Sequence, residues 1–142
     1  MQGKLNSASD KEEVSSITKI GNSTFFAGDD GIVYVVLMGE INQKLAAEMA
    51  ETIKRYACGK VDGKINILCD MNKAGQSSYE AREIYREIMK NDIINKAAMF
   101  GLHPVAKMLA SFIIAYLNLK IARFFKTKEE AILWLKEENA GK

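Results

Sequence analysis

Two strand-like runs follow each other in the stretch "STFFAGDDGIVYVVLMGEI", residues 23–41. Its two runs rich in β-branched and aromatic residues, 23–28 and 31–41, are separated by Asp29 and Asp30, and Gly31 begins the second run. Asp-Gly between such runs is a strong β-hairpin signal, because the favoured hairpin turns need residues that tolerate a positive φ. The second run is apolar at every position from Ile32 to Met38, which is typical of a strand covered on both faces. The stretch therefore predicts two antiparallel strands, the second of them deep in a sheet.

After the hairpin, the chain alternates between helical and strand patterns. Helices are predicted at residues 43–58 (after an N-cap at Asn42 and before Gly59), 78–90, 104–118 and 128–138, and strands at 64–70, 96–102 and 121–126. Strands that alternate with helices of this length imply crossover connections and a mainly parallel sheet. The sequence thus predicts an α/β fold with a five-stranded mixed β-sheet, in which the first hairpin is antiparallel and the rest mainly parallel, and four α-helices.

Composition narrows the classes of function. The chain has 142 residues, of which 48% are hydrophobic, enough for one compact domain. Its formal net charge of +2 lacks the electrostatic signature of a nucleic-acid-binding protein, so no nucleic-acid partner is expected. Two cysteines and one histidine are too few for a structural zinc site built from these residues, so neither a metal nor a cofactor is expected.

The domain boundaries follow from where the apolar patterns begin and end. Residues 1–16 are polar and carry no apolar signal-peptide segment, so they are predicted to be a flexible tail. Residues 17–138 are predicted to form the single domain, and residues 139–142 a short C-terminal tail. The two cysteines make no disulfide framework, and the expected location is cytoplasmic, with reduced thiols.

A pair of serines, Ser77 and Ser78, stands where a strand is predicted to give way to a helix. Ser77 and Glu80 have the spacing of a capping box, which predicts Ser77 as the N-cap and places Ser78 at the first helical position. A helix N-terminus also attracts anions, so a phosphoserine would be tolerated there. Two interpretations follow: a cap alone, which the spacing favours, or a phosphorylation switch.

A second group of polar residues is predicted at the carboxyl ends of the strands, where open α/β sheets bind ligands. Asp70 ends one strand, Asn72 and Gln76 lie in the following turn, and His103 follows the next strand. These four residues are candidates for a ligand or partner edge. The structural alternatives are an Asx turn at Asp70, which is favoured, and a helix cap at His103. No phosphate-binding loop and no catalytic motif accompanies them, so no catalytic residues and no enzymatic activity are predicted.

The predicted helix at 104–118 is apolar on nearly all sides. From residue 104 to residue 117 only Lys107 and Ser111 interrupt the apolar run, so it is either covered by protein on both sides or offers one side to a lipid or another chain. About 21 Å of helix is too short for a hydrocarbon core of roughly 30 Å. The candidate contact residues for a membrane or a partner are Lys107, Met108, Phe112, Ile113 and Tyr116.

The order of the predicted elements resembles the STAS domain of anti-sigma-factor antagonists. The closing stretch "IARFFKTKEEAILWLKE", residues 121–137, resembles the end of the SpoIIAA-like branch, also grouped as STAS/SEC14-like, with its aromatic strand, Thr-x-x-Glu cap and Ala-x-x-Trp-Leu helix. In the antagonists, a serine of an Asp-Ser-Ser-Gly motif is phosphorylated by an anti-sigma kinase. Here Gln76 replaces the Asp and Tyr79 replaces the Gly, and Ser77 is taken as the better match to the acceptor.

The resemblance implies a non-catalytic regulatory module that acts through protein contacts. Its expected partner is a protein such as an anti-sigma-type kinase, or a second copy of the chain, with phosphorylation at the start of the second helix as a control. The alternative that it implies is a SEC14-like module for apolar ligands or lipids, which would dock at the inner face of the membrane through the helix at 104–118.

Overall fold

A computed structural model describes residues 17–101 and 120–137, which contain six β-strands and three α-helices. The elements are β1 Thr18–Ile20, β2 Ser23–Ala27, β3 Ile32–Ile41, α1 Gln43–Cys58, β4 Ile65–Ser77, α2 Tyr79–Lys90, β5 Ile94–Phe100, β6 Ala122–Phe125 and α3 Lys128–Lys136. The α/β class is confirmed. The predicted helix at 104–118 and the predicted tails at 1–16 and 139–142 lie outside the described residues.

The predicted count of five strands is wrong, because β1 adds a sixth. This strand has only three residues, too few to show a periodic pattern, and it pairs antiparallel with β2. The tight turn between the two strands is formed by Gly21, whose φ is 60°, and Asn22. Such a conformation favours glycine, since a side chain is strained there.

The strands lie in the order β1-β2-β3-β4-β5-β6 in one mixed sheet. The first three are antiparallel neighbours, whereas β3 to β6 are parallel. This confirms the predicted antiparallel hairpin and the predicted parallel remainder.

The described helices cover the sheet from both sides. Helices α1 and α2 pack on one face, over a core that includes Phe25, Val33, Val35, Ile65, Ile67 and Ala97. Helix α3 packs on the other face, against Ile32, Leu68, Ala98 and Phe100. Burial on two faces explains why the strands read as nearly continuous apolar runs.

The starts of α1 and α3 follow the sequence prediction, whereas α3 ends at Lys136, two residues before its predicted end. The Asn42 side chain accepts a hydrogen bond from the Leu45 amide at 2.9 Å, and Thr127 accepts one from the Glu130 amide at 3.1 Å. At the other end of α3, the Lys96 ammonium group is buried and donates to the carbonyl oxygens of Trp134 and Glu137, at 2.8 and 3.0 Å. A cation at a helix C-terminus satisfies carbonyl groups that have no partner within the helix.

Strand β4 is longer than predicted and carries the candidate site. The sequence predicts a strand at 64–70 followed by a turn, but β4 continues to Ser77. Its pairing with β5 stops at Asp70, whereas its pairing with β3 continues through two register shifts to Ser77. At Gly75 the strands approach so closely that a Cβ atom would lie 2.9 Å from the Gly39 carbonyl carbon. The extension is polar and exposed, so its sequence shows no strand pattern. Its strand conformation depends on long-range pairing with β3.

Candidate functional site

The junction of β4 and α2 contains both serines, in positions that differ from the prediction. Ser77 is the last residue of β4, and the Ser78 hydroxyl accepts a hydrogen bond from the Ala81 amide at 3.0 Å. Ser78 is therefore the N-cap, and the predicted capping box of Ser77 and Glu80 is wrong. The physical reason is the pairing with β3: Ser77 opposes Ile41, whose carbonyl oxygen also accepts from the Ser78 amide at 3.0 Å.

A guanidinium group lies beside the two serines. Arg82 Nη1 donates to the Ser77 carbonyl oxygen at 2.5 Å. Arg82 is four residues after Ser78, the spacing that places two side chains on one face of a helix. Arg82 is not among the residues predicted from the sequence, although its spacing from the true N-cap identifies it. The arrangement brings a cation to a helix N-terminus, where the helix itself already favours negative charge.

Tyr79, the first residue of α2, presents an aromatic ring to solvent. Its exposed fraction of 62% places it among four exposed large hydrophobic residues of the described chain, with Ile17, Val61 and Leu133. In the sequence, Tyr79 stands out only as a departure from the Asp-Ser-Ser-Gly motif. Tyrosine and arginine are enriched among the residues that contribute most of the binding energy at protein interfaces.

Asp70 and Asn72 contact each other, as the favoured Asx interpretation predicts. The Asp70 Oδ1 atom accepts from the Asn72 backbone amide at 3.0 Å and from its side-chain amide at 2.8 Å. The motif lies within the irregular part of β4, not in a turn after it. Asn72 also touches Gly101, where a Cβ atom would lie 2.7 Å from the Asn72 side chain and where φ is 93°. Gln76 is exposed farther along β4.

The other candidates of the sequence analysis lie outside the described residues. These are His103 and the five residues of the predicted apolar helix, Lys107, Met108, Phe112, Ile113 and Tyr116. Their predicted roles stay predictions.

Two ionisable groups, Cys69 and Tyr85, lie behind this edge. Burial raises the pKa of the Cys69 thiol to about 12, and the neighbouring Asp70 carboxylate adds to the increase. Burial also raises the pKa of Tyr85, whose hydroxyl oxygen is buried without a hydrogen-bond partner. The Ser77 side chain lies close enough to the Tyr85 hydroxyl to lower the pKa of Tyr85 in part. The two groups do not meet the geometry of a hydrogen bond. Both groups are therefore protonated at neutral pH.

Two further properties concern the part of the chain that the structure describes. No group of three or more His, Cys, Asp or Glu side chains in residues 17–101 and 120–137 is arranged to hold a metal ion. Within the same ranges, no helix is long and apolar enough to cross a membrane.

Known structures share this fold. One is an uncharacterised DUF3478-family protein with a SpoIIAA-like fold from Shewanella loihica PV-4, with a TM-score of 0.57 and 15% identity over 84% of this chain and 89% of that one. Another is the anti-sigma factor antagonist SpoIIAA in its unphosphorylated form, with a TM-score of 0.56 and 13% identity over 80% of this chain and 97% of that one.

A third similar structure is SpoIIAA, described as a Bacillus cell fate determinant, in its phosphorylated form. Its TM-score is 0.50, with 16% identity over 79% of this chain and 97% of that one. No curated protein matches the sequence significantly. These similarities show a SpoIIAA-like fold, as the sequence resemblance implies. The model of the family described as "Domain of unknown function (DUF7793)" matches residues 26–139, most of the chain, and the protein therefore belongs to that family.

Proposed function

We propose that this protein is a non-catalytic regulatory module that binds a partner protein through its β4–α2 edge and is switched by phosphorylation of Ser78. The β4–α2 edge is the surface formed by Asn72, Gln76, Ser78, Tyr79 and Arg82. The observation that carries the proposal is the position of Ser78 as the N-cap of α2. The exposed Tyr79 follows it in the chain, and the Arg82 guanidinium donates to the carbonyl oxygen of the preceding Ser77.

A phosphate on Ser78 suits the electrostatics of this edge. The first amides of a helix lack partners within the helix, and the helix dipole favours negative charge at that end. The Arg82 guanidinium lies at the same junction and is able to pair with a phosphate. Ser77, the last residue of β4, is the second candidate acceptor. The structural relative SpoIIAA is known in phosphorylated and unphosphorylated forms, which supports a phosphorylation switch on this fold.

The same edge suits a protein contact. Tyr79 offers a rigid aromatic surface, and Arg82 and Gln76 offer hydrogen-bond donors next to it. A phosphate of charge about −1.5 to −2 would change the sign of the potential in the middle of this surface. A partner that fits the unmodified edge would then be repelled or would lose contact with Tyr79. Catalysis is not part of the proposal, because the described edge has no thiolate or imidazole beside a hydroxyl group.

Site-specific photo-crosslinking tests the contact. A benzophenone amino acid replaces Tyr79 in one version of the full chain and Leu133, equally exposed but on α3, in a control version. In extract of the source cells, we expect a defined crosslinked product from position 79 and none from position 133. The same products at both positions, or no product at 79, would contradict the proposed edge. The mass of the product tells a second copy of the chain from a kinase or another protein.

The switch is tested in the same experiment by adding the substitution Ser78→Asp. Aspartate keeps the helix cap but adds a negative charge, so we expect the crosslinked product at position 79 to be lost while the fold is kept. An unchanged yield would show that charge at Ser78 does not control the contact.

The alternative of membrane or lipid binding through residues 104–117 stays a prediction. Co-sedimentation with liposomes that contain anionic lipid tests it, with Phe112→Glu as the variant. Sedimentation of the unmodified chain, and its loss in the variant, would favour the alternative.

A further inference from the structure

Strand β6 forms one edge of the sheet in the part of the chain that the structure describes. It is the last strand in the sheet order, and its one described neighbour is β5, to which it is parallel. The Ala97 amide donates to the Ile121 carbonyl oxygen at 2.7 Å, which fixes the phase of the pairing. In a parallel pair, alternate residues direct both backbone groups to the neighbouring strand. Ile121 and Arg123 thus face β5, and the N–H and C=O groups of Ala122 and Phe124 point away from the sheet.

The charge around this edge is of one sign. The stretch "KIARFFKTK", residues 120–128, contains four basic residues and no acidic residue. Lys120, Arg123 and Lys126 are exposed, on β6 or next to its ends. The Arg123 guanidinium carbon lies 5.6 Å from the centre of the Phe125 ring and 5.9 Å from that of Trp134. The edge therefore combines outward backbone groups with positive charge.

This charge disfavours a second copy of the chain as the neighbour of β6. Two β6 strands paired edge to edge would bring basic side chains opposite one another, and like charges at such positions are destabilising. Lysine on an edge strand is a common device against this kind of association. A phosphate or lipid headgroup would supply acceptors for the N–H groups but no amide donors for the C=O groups. An extended acidic peptide supplies donors, acceptors and the opposite charge.

We propose that β6 binds an extended acidic segment of a partner protein, which adds to the sheet as a further strand. Its backbone pairs with Ala122 and Phe124, and its carboxylates lie beside Lys120, Arg123 and Lys126. Because β6 has only four residues, we expect a weak and reversible contact. The inference goes beyond the function proposed for the β4–α2 edge and does not depend on it, since β5 separates β6 from β4 in the sheet.

Amide hydrogen exchange of the full chain, measured by NMR, tests the added strand. The probe is a short blocked peptide of alternating Glu and Val residues. In the free protein, we expect fast exchange at the Ala122 and Phe124 amides and slow exchange at the Arg123 amide, which faces β5. Saturating peptide should slow exchange at Ala122 and Phe124 about tenfold or more and leave Arg123 unchanged. Slow exchange at both amides in the free protein would show that the chain itself covers the edge and would overturn the proposal, as would the absence of slowing by the peptide.

Two control peptides separate backbone pairing from charge. A peptide with Lys in place of every Glu keeps the backbone and should give no protection, because its charge matches that of the edge. A Glu-Val peptide that is N-methylated at every residue keeps the charge but has no amide hydrogen to donate, and it should also give no protection. Equal protection by either control would overturn the proposal.

A pair of variants tests the location of the charge. Lys126→Glu reverses an exposed charge next to the end of β6 and should lower the affinity for the Glu-Val peptide about fivefold or more. Lys44→Glu makes the same change of charge at an exposed position of α1 and should leave the affinity nearly unchanged. Equal losses in the two variants would show that the peptide responds only to net charge and would overturn the site.

Discussion

The Ser78 hydroxyl caps α2 by accepting the Ala81 amide hydrogen at a distance of 3.0 Å. This single contact moves the helix start one residue beyond its predicted place. For the phosphorylation proposed above, the cap makes Ser78 rather than Ser77 the expected acceptor, because the free amides of the helix lie close to the capping side chain.

Loss of the cap should destabilise the protein. Ser78→Ala removes the acceptor for the Ala81 amide, and we expect a loss of about 1 kcal/mol in the free energy of unfolding, measured by urea denaturation. Ser78→Asp should stay close to the unmodified protein, since aspartate is a good N-cap beside the helix dipole. Ser77→Ala is the neighbouring control and should cost less. A larger loss for Ser77→Ala than for Ser78→Ala would contradict the assignment of the cap.

A helix cap could be predicted from the sequence where only the residues within the next helical turn determine it. Asn42 and Thr127 cap their helices as predicted, because each side chain accepts from an amide three residues later. Ser77 was predicted wrongly because its backbone is held by Ile41, thirty-six residues earlier in the chain, through pairing that no local pattern reveals. The extension of β4 was not predicted for the same reason. Strand β1 was not predicted because three residues are too few to show an alternating hydrophobic pattern.

The candidate site was predictable only in part. Asn72 and Gln76, which belong to the proposed β4–α2 edge, are named by the sequence because the carboxyl ends of strands in α/β sheets are a general location for sites, and their role stays a prediction. Tyr79 and Arg82 were missed because their importance depends on the true start of α2. The unpartnered Tyr85 hydroxyl was also missed, since its helical spacing identifies only a core-facing residue.

The two cysteines should differ strongly in reactivity. Cys58 is exposed, whereas burial raises the pKa of Cys69 to about 12, so almost no thiolate forms at Cys69 near neutral pH. We expect iodoacetamide at pH 8 to modify Cys58 in the folded protein and to modify Cys69 only after denaturation, as read by peptide mass spectrometry. Equal rates at both residues in the folded protein would show that the β4 core is open.

A hydrogen bond at the turn between β2 and β3 should control the ionisation of Asp30. Burial raises the pKa of this carboxyl, but hydrogen bonds from the Tyr34 hydroxyl, at 2.6 Å, and from the Ile32 amide outweigh it and lower the pKa below 3.8. We expect Tyr34→Phe to raise the pKa of Asp30, measured by NMR titration of its carboxyl carbon. The ring contact with Phe26 is kept in this variant.

The sign of the accompanying stability change follows from linkage. A carboxyl whose pKa is lowered by folding stabilises the protein above its unfolded pKa, and this contribution is lost as pH falls through the folded pKa. The stability advantage of the unmodified protein over Tyr34→Phe should therefore shrink as the pH falls below the usual pKa of an aspartate carboxyl. An advantage that grows on acidification would contradict this account.

The most direct test of the central claim is to map phosphate on residues 73–82 by mass spectrometry. The full chain, Ser77→Ala and Ser78→Ala are each incubated with ATP and extract of the source cells, grown under several conditions. We expect phosphate on Ser78 in the unmodified chain, still present in Ser77→Ala and absent from this segment in Ser78→Ala. A segment that stays unmodified in every extract, or phosphate on Ser77 alone, would contradict it.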